Sequence, residues 1–300
     1  MVLKLETHYL AMPLKKLLYN ITFLYFAFLL MQSCSLITPE INIPAYIYIE
    51  KITLPTTNYA TEGSNSSKIT DAWVYIDNKL IGIYELPAKI PILDQGDHKL
   101  TIRAGIKVNG IAATRAYYPF YDLFEQNINL KPETTDTVKP AVRYYPSTGF
   151  FQWMEDFESG GISLMKYSTS DTIIEKTSNP QLVFEGSYSG IAHLDNTKKY
   201  LMSATINNYV LPVGNNPVFL EMNYKTNNKI GIGLYANGTQ RIAVITLNRC
   251  DYWNKIYINL TPMVNSVTNV TNFKIFIEAY KEDDVDSPLL LFDNIKLLFN

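Results

Sequence analysis

The stretch Trp73-Val74-Tyr75-Ile76-Asp77-Asn78-Lys79-Leu80-Ile81-Gly82-Ile83-Tyr84 decides the fold class. Two strand-like runs meet across Asp-Asn, which reads as a β-hairpin. Upstream, Tyr46, Tyr48 and Glu50 share one parity while Ile47 and Ile49 share the other. That period of two is the pattern of a half-buried strand. Between them, 60–67 is polar, contains Gly63 and predicts a loop. Downstream, Pro87 and Pro91 bracket Ala88-Lys89-Ile90, so that segment is at most an edge strand. Gln95-Gly96-Asp97 predicts a turn into a further strand from His98 to Arg103, continuing over 106–109.

The C-terminal half repeats the pattern. Strand-like runs recur near 150–157, 199–206, 218–225, 230–235, 241–247, 253–260, 273–280 and 289–298, separated by Asn and Gly turns. About eight strands is the count of a jelly roll. No segment shows a helical period, and 261–271 reads as a short turn-like crossing. The predicted fold class is therefore all-β.

Composition agrees. The 300 residues include 22 Tyr and 14 Phe, and aromatics make up 13% of the chain, a bias toward strands. With 26 basic against 28 acidic residues the net charge is −2. That excludes the basic excess of a nucleic-acid binder and the charge of a disordered acidic chain. There are three His and two Cys, with no zinc-binding spacing. Phosphate-cradling glycine loops and the nucleophile-elbow motif are also lacking. The chain reads as a binding protein rather than an enzyme.

The amino terminus reads as an address. Met12-Pro-Leu-Lys-Lys16 is followed by an apolar run from Leu17 to Met31, then Gln32-Ser33-Cys34. A basic patch, a short apolar run and a small residue form a secretory signal peptide over 1–33, with Met12 as a better start than Met1. The run is short for a membrane span, which needs about 20 residues. Leu30-Met31-Gln32-Ser33-Cys34 resembles a bacterial lipobox, although Met31 and Gln32 depart from its usual residues. The resemblance implies cleavage before Cys34 and lipidation of that residue, with 34–44 as a tether. Several acyl chains would anchor the protein stably to the outer membrane. The absence of acidic residues just after Cys34 favours the periplasmic face. Cys250 is then a lone thiol, read as a buried structural residue, and the exported chain is held by its cores rather than by disulfides.

Two resemblances organise the rest. Val74-Tyr-Ile-Asp-Asn-Lys-Leu-Ile-Gly82, Pro87, and Leu93-Asp-Gln-Gly-Asp-His-Lys-Leu-Thr-Ile102 resemble the PEGA-type surface domain, with Asn78 where that pattern has a turn glycine. This implies an Ig-like β-sandwich over 45–130, used as spacer or adhesive, with His98 structural. Tyr117-Tyr118-Pro119-Phe120-Tyr121 reads as a turn packed on that sandwich, or alternatively as an exposed patch for a partner. Residues 131–146, with three prolines and polar residues between them, read as a semi-rigid linker to 147–300. Asp136-Thr137-Val138 and Asp171-Thr172-Ile173 resemble the O-glycosylation acceptor of Bacteroidota, making Thr137 and Thr172 candidate sites.

Asp156-Phe-Glu158, Val183-Phe-Glu-Gly-Ser-Tyr-Ser-Gly190, Leu220-Glu-Met-Asn-Tyr224, Trp253–Leu260 and Leu291-Phe-Asp-Asn-Ile-Lys-Leu297 occur in that order. Together they resemble the galactose-binding-like jelly rolls of carbohydrate-binding modules. The resemblance implies one structural Ca²⁺, with Glu158, Glu185 and Asp293 as candidate ligands, a donor set that suits this cation. Tyr167, Tyr188 and Tyr235 are candidate glycan contacts, and Trp253 is placed in the core. The acidic run 282–286 reads as a solvated hairpin loop. The sequence thus points first to a non-catalytic outer-membrane lipoprotein serving an envelope or membrane-protein complex. The alternative is a glycan-binding surface lipoprotein, favoured if aromatics line one face of the jelly roll.

Overall fold

The computed structural model describes residues 14–31, 43–145 and 151–299. Cys34, most of the tether and the alternative start at Met12 lie outside them. The chain divides into two compact units, 1–43 and 44–300. In the first, helix α1 spans Leu14–Met31. Its described side chains are exposed, from Leu17 to Phe26. No described helix is long and apolar enough to cross a membrane.

The second unit is built from strands. Its first half runs β1 (Ala45–Ile49), the single turn α2 (Tyr59–Glu62), β2 (Asp71–Ile76), β3 (Lys79–Glu85), β4 (Ala88–Ile92), β5 (Gly96–Lys107), β6 (Arg115–Tyr117), β7 (Leu123–Leu130) and β8 (Thr135–Val138). The β2–β3 hairpin forms as predicted. Asp77 and Asn78 both take positive φ, 47° and 68°, as a tight primed turn requires. His98 closes it, with Nδ1 2.6 Å from Asp77 Oδ2, while Lys99 N donates to Asp77 Oδ1 at 2.9 Å. β4 is an edge strand, in the order β4-β1-β8. The larger sheet is ordered β3-β2-β5-β6, with β7 on the other end of β5. The core between them holds Ile47, Ile49, Val74, Ile76, Ile90, Leu100 and Ile102.

Residues 131–145 are not a linker. β8 pairs in parallel with β1, Ile49 opposite Val138, and Thr53 forms a bridge with Ala141. Val138, Val142 and Tyr144 are buried in the first core. The prolines punctuate the path and the apolar residues between them fix it.

The second half runs β9 (Phe151–Glu155), β10 (Leu164–Lys166), β11 (Glu175–Thr177), β12 (Ser189–His193), β13 (Tyr200–Thr205), β14 (Phe219–Thr226), β15 (Ile230–Ala236), β16 (Gln240–Leu247), β17 (Cys250–Asn259), the short helix α3 (Thr261–Asn265), β18 (Phe273–Tyr280) and β19 (Leu289–Leu298). All eight anticipated strands are present, and β10, β11 and β12 are additional. One sheet is ordered β10-β13-β18-β15-β16, the other β11-β12-β19-β14-β17 with β9 also on β19. They face each other as a jelly-roll β-sandwich around Leu201, Leu220, Met222, Ile232, Leu234, Ile258, Ile275 and Leu297.

The two halves are fused rather than tethered. Phe219, Tyr257 and Leu298, on the outer face of the six-stranded sheet, belong to the first core. Asn109 N donates to Tyr257 O, and Asn259 N to Asn109 Oδ1, each at 2.8 Å. Tyr118, Phe120 and Tyr121 are buried here, with Tyr118 edge-on to Phe219 at 5.4 Å between ring centroids. Most of the aromatic run is therefore an internal seam, with Tyr117 alone of its aromatics exposed, so the reading of it as a turn packed on the sandwich holds and the reading as an exposed partner patch is corrected.

Candidate functional site

Alternation along β13, β15 and β18 puts one set of side chains in the core and the other outside. Leu201, Ile275, Ile277 and Ala279 point inward. Met202, Ala204 and Phe276 gather on the outer face with Tyr167, Tyr200 and Tyr235. Register aligns them in rows. Phe276 is opposite Ala204 on one side and Gly233 on the other, and Glu278 is opposite Met202 and Gly231. The two glycines lower the floor of this face. A Cβ at Gly233 would stand 2.2 Å from Phe276 Cζ, and one at Gly231 would stand 2.7 Å from Glu278 Cγ. Phe276 and Glu278 thus lie across β15.

On this floor stand two tyrosine pairs. Tyr167 and Tyr235 stack with centroids 4.9 Å apart and planes within 2°. Tyr200 and Tyr280 stack at 4.3 Å and 23°. Tyr280 is the most open of the four, 63% exposed. Burial pushes the hydroxyl pKa values of Tyr167, Tyr235 and Tyr200 upward, with the Tyr280 hydroxyl and the Glu278 charge adding to it at Tyr200. All three stay protonated and able to donate. Between the pairs, the Arg241 guanidinium bonds Glu278 Oε1 and lies 5.2 Å over the Phe276 ring. Tyr200 Oη donates to Glu278 Oε2 at 3.2 Å. Lys274 Nζ is tied to the carbonyls of Thr205 and Ile206 at 2.8 and 2.6 Å. The result is an open aromatic face with fixed hydrogen-bonding groups.

Of the three tyrosines singled out from sequence, Tyr167 and Tyr235 meet here. Tyr188 does not. It precedes β12 on the other sheet, its ring 5.2 Å from Lys176 Nζ. Tyr200, Phe276, Glu278, Tyr280 and Arg241 were not anticipated. The available signal was Gly231-x-Gly233 inside a strand, which marks close approach of another group.

The candidate calcium ligands lie near the other sheet. Glu158 Oε1 accepts from the backbone N–H groups of Ser187 and Tyr188 at 2.8 and 2.9 Å. Glu185 Oε1 accepts from Asn294 Nδ2 at 3.0 Å. Asp293 is buried, and its Oδ2 accepts from Ser189 Oγ. Burial raises its pKa to about 7, and nearby Glu185 adds to the rise. Each carboxylate is engaged separately by protein donors. Among the described residues no group of three or more His, Cys, Asp or Glu is placed to hold a metal.

Other positions differ from expectation. Trp253 is half-buried outside the core, 5.3 Å from Phe184, and the core tryptophan is Trp153. Thr172 is 9% exposed, which closes it to a glycosyltransferase in the folded chain, whereas Thr137 is exposed on β8. Cys250 is half-buried at the start of β17. In the acidic loop, Glu282 and Asp284 both pair with Arg249.

No sequence-family model matches the chain, and no curated protein does. Solved structures with a similar arrangement cover about half of it. TmCBM61 in complex with β-1,4-galactotriose is 12% identical over 51% of this chain and 92% of its own, with a TM-score of 0.32. The family 11 carbohydrate-binding module of the Clostridium thermocellum cellulosomal cellulase Lic26A-Cel5E is 16% identical over 51% and 95%, TM-score 0.34. The enzymatically active domain of bacteriophage CBA120 tailspike protein 4 is 9% identical over 48% and 20%, TM-score 0.35.

Proposed function

We propose that this chain is a non-catalytic, glycan-binding lipoprotein, tethered to the outer membrane through Cys34 and presenting the outer face of its five-stranded sheet to an oligosaccharide. The observation that carries this reading is the pairing of tyrosines around the Arg241–Glu278 ion pair on that face. Aromatic rings offer flat apolar surface to the C–H faces of sugars. Planar charged groups and hydroxyls beside them suit sugar hydroxyls, and a few fixed polar groups among apolar ones is the make-up of a ligand site. The face is open rather than closed into a pocket, which suits a chain of sugars more than a single one. The fused first half serves as a rigid stand. The alternative role, as accessory to a membrane-protein complex, loses the aromatic run 117–121 as its docking patch because Tyr118, Phe120 and Tyr121 are buried.

The test is a glycan array probed with the full-length protein, once in calcium and once in chelator, followed by calorimetry on the strongest ligand. Tyr280→Ala and Tyr235→Ala should each weaken binding by about two- to tenfold, the worth of one aromatic contact. Binding abolished by chelator would bring calcium into the site. A folded protein that binds no glycan under either condition would overturn the proposal.

A further inference from the structure

The seam between the two halves contains a cavity of about 160 Å³. One wall comes from the first half, with Lys68, Lys107 and Asn109, and the other from the second, with Asn248, Asn254 and Lys255. Three lysines and three asparagines line it, and no Asp or Glu does. It is smaller than the roughly 300–1,000 Å³ of a drug-sized ligand site. It therefore suits a small group rather than an oligosaccharide.

The charge around it is unbalanced. The Lys255 side chain is 3% exposed, and its Nζ lies 2.7 Å from Glu221 Oε2. That ion pair occupies one side of the ammonium, and no other protein acceptor among the described residues reaches it. An ammonium carries three donors, and buried charges are costly unless paired and hydrogen-bonded. Glu221 is also shared. It takes hydrogen bonds from Tyr118 and Tyr144 and stands near a second buried lysine, Lys296, whose Nζ donates to the Ser64 carbonyl at 2.5 Å. One buried carboxylate thus faces two buried lysine side chains. At the rim, Lys68 Nζ is held by a neutral group, Asn254 Oδ1 at 2.5 Å, while Lys107 pairs with Glu85, which it shares with Arg115, itself also paired with Asp71.

We infer that this cleft binds an oxyanion, either a free inorganic ion or the acidic group of a charged sugar, between Lys68, Lys107 and Lys255. The bound group supplies an acidic partner to Lys68, which has none among the described residues, and a further acceptor to Lys255, and the asparagine amides complete its hydrogen bonds. Residues from both halves contribute, so occupancy also locks one half to the other. The site is separate from the tyrosine face and does not depend on it.

The experiment is calorimetric titration of the full-length protein with sodium sulfate, sodium glucuronate and glucose, with chloride adjusted to hold ionic strength constant. Saturable binding of sulfate and glucuronate, with none of glucose, is expected. Lys68→Gln and Lys107→Gln, both toward the rim, should each weaken it by about tenfold or more without changing the circular dichroism. Tyr235→Ala should leave it unchanged, which separates this site from the glycan face. Sulfate binding without glucuronate binding would support the site and assign it to a free ion. Absence of saturable binding by either anion, or binding indifferent to both lysine variants, would overturn the inference.

Discussion

Tyr118 Oη donates to Glu221 Oε1 at 2.6 Å, joining side chains 103 residues apart and from different halves of the molecule. Tyr144 Oη reaches the same carboxylate at 3.0 Å, and Lys255 pairs with it. Burial alone would push the Glu221 carboxyl up, but the ammoniums of Lys255 and Lys296 hold it below the usual range. Removing the acid should leave the buried Lys255 ammonium without its counter-charge. Glu221→Ala is expected to cost about 3–5 kcal/mol, read as a lower urea midpoint. Tyr118→Phe removes one of several donors and should cost about 1 kcal/mol. Additive effects in the double variant would show that the two residues do not act as one network.

The buried titratable groups predict a pH signature with two limbs. Burial drops Lys296 from 10.5 to about 7. Between those values the unfolded chain holds the proton and the folded chain does not, so stability rises with pH across that window. Burial lifts Asp293 from 3.8 to about 7. Between those values the folded chain holds the extra proton, so stability falls as pH rises. The contribution of these two groups is therefore lowest near pH 7. Urea midpoints measured from pH 4 to 10 should show Lys296→Met flattening the alkaline limb and Asp293→Asn the acid limb. Unchanged limbs in both variants would refute the assignment.

The glycines under the tyrosine face make a separable prediction. At Gly233 a new Cβ meets Phe276 Cζ at 2.2 Å and the Ile242 carbonyl oxygen at 2.4 Å. Backbone cannot retreat as a side chain can, so Gly233→Ala should cost about 1–3 kcal/mol. At Gly231 the nearest neighbours are Glu278 side-chain atoms, the closest at 2.7 Å. Gly231→Ala should displace the carboxylate from Arg241, weakening glycan binding more than stability. Calorimetry beside thermal unfolding distinguishes the two. A variant at 231 that binds normally would remove the Arg241–Glu278 pair from the site.

What the sequence revealed follows from range. Strand alternation and turn chemistry are local, so the β2–β3 hairpin and the long strands of the jelly roll could be read directly. The seam could not, because Phe219, Tyr257 and Leu298 alternate like any strand residue, and nothing local says their outer face is covered. The segment 131–146 reads as a linker for the same reason. Its prolines are visible, whereas the pairing of β8 with β1 depends on residues far away in the chain. Tyr167 and Tyr235 could be guessed, but among 22 tyrosines only the register of β13, β15 and β18 singles them out.

The turn at Asp77-Asn78 tests how far the hairpin rests on local chemistry. Asn78 sits at φ 68°, in the left-handed region that costs a side chain with a Cβ about 1–2 kcal/mol. Asn tolerates it better than most residues and Gly tolerates it fully. Asn78→Gly should therefore leave stability unchanged or raise it slightly, whereas Asn78→Val should lower it by about 1–2 kcal/mol. Asp77 contributes differently. Its carboxylate bonds His98 and raises the imidazole pKa above 6.5, so that stabilisation is full below 6.5 and fades as pH rises through the shifted value. Asp77→Asn should remove this pH dependence while keeping the turn, because Asn also accepts positive φ. Thermal midpoints of the three variants at pH 5.5 and pH 8 separate the two roles. If Asn78→Val were neutral at both, the strands rather than the turn would be setting the register.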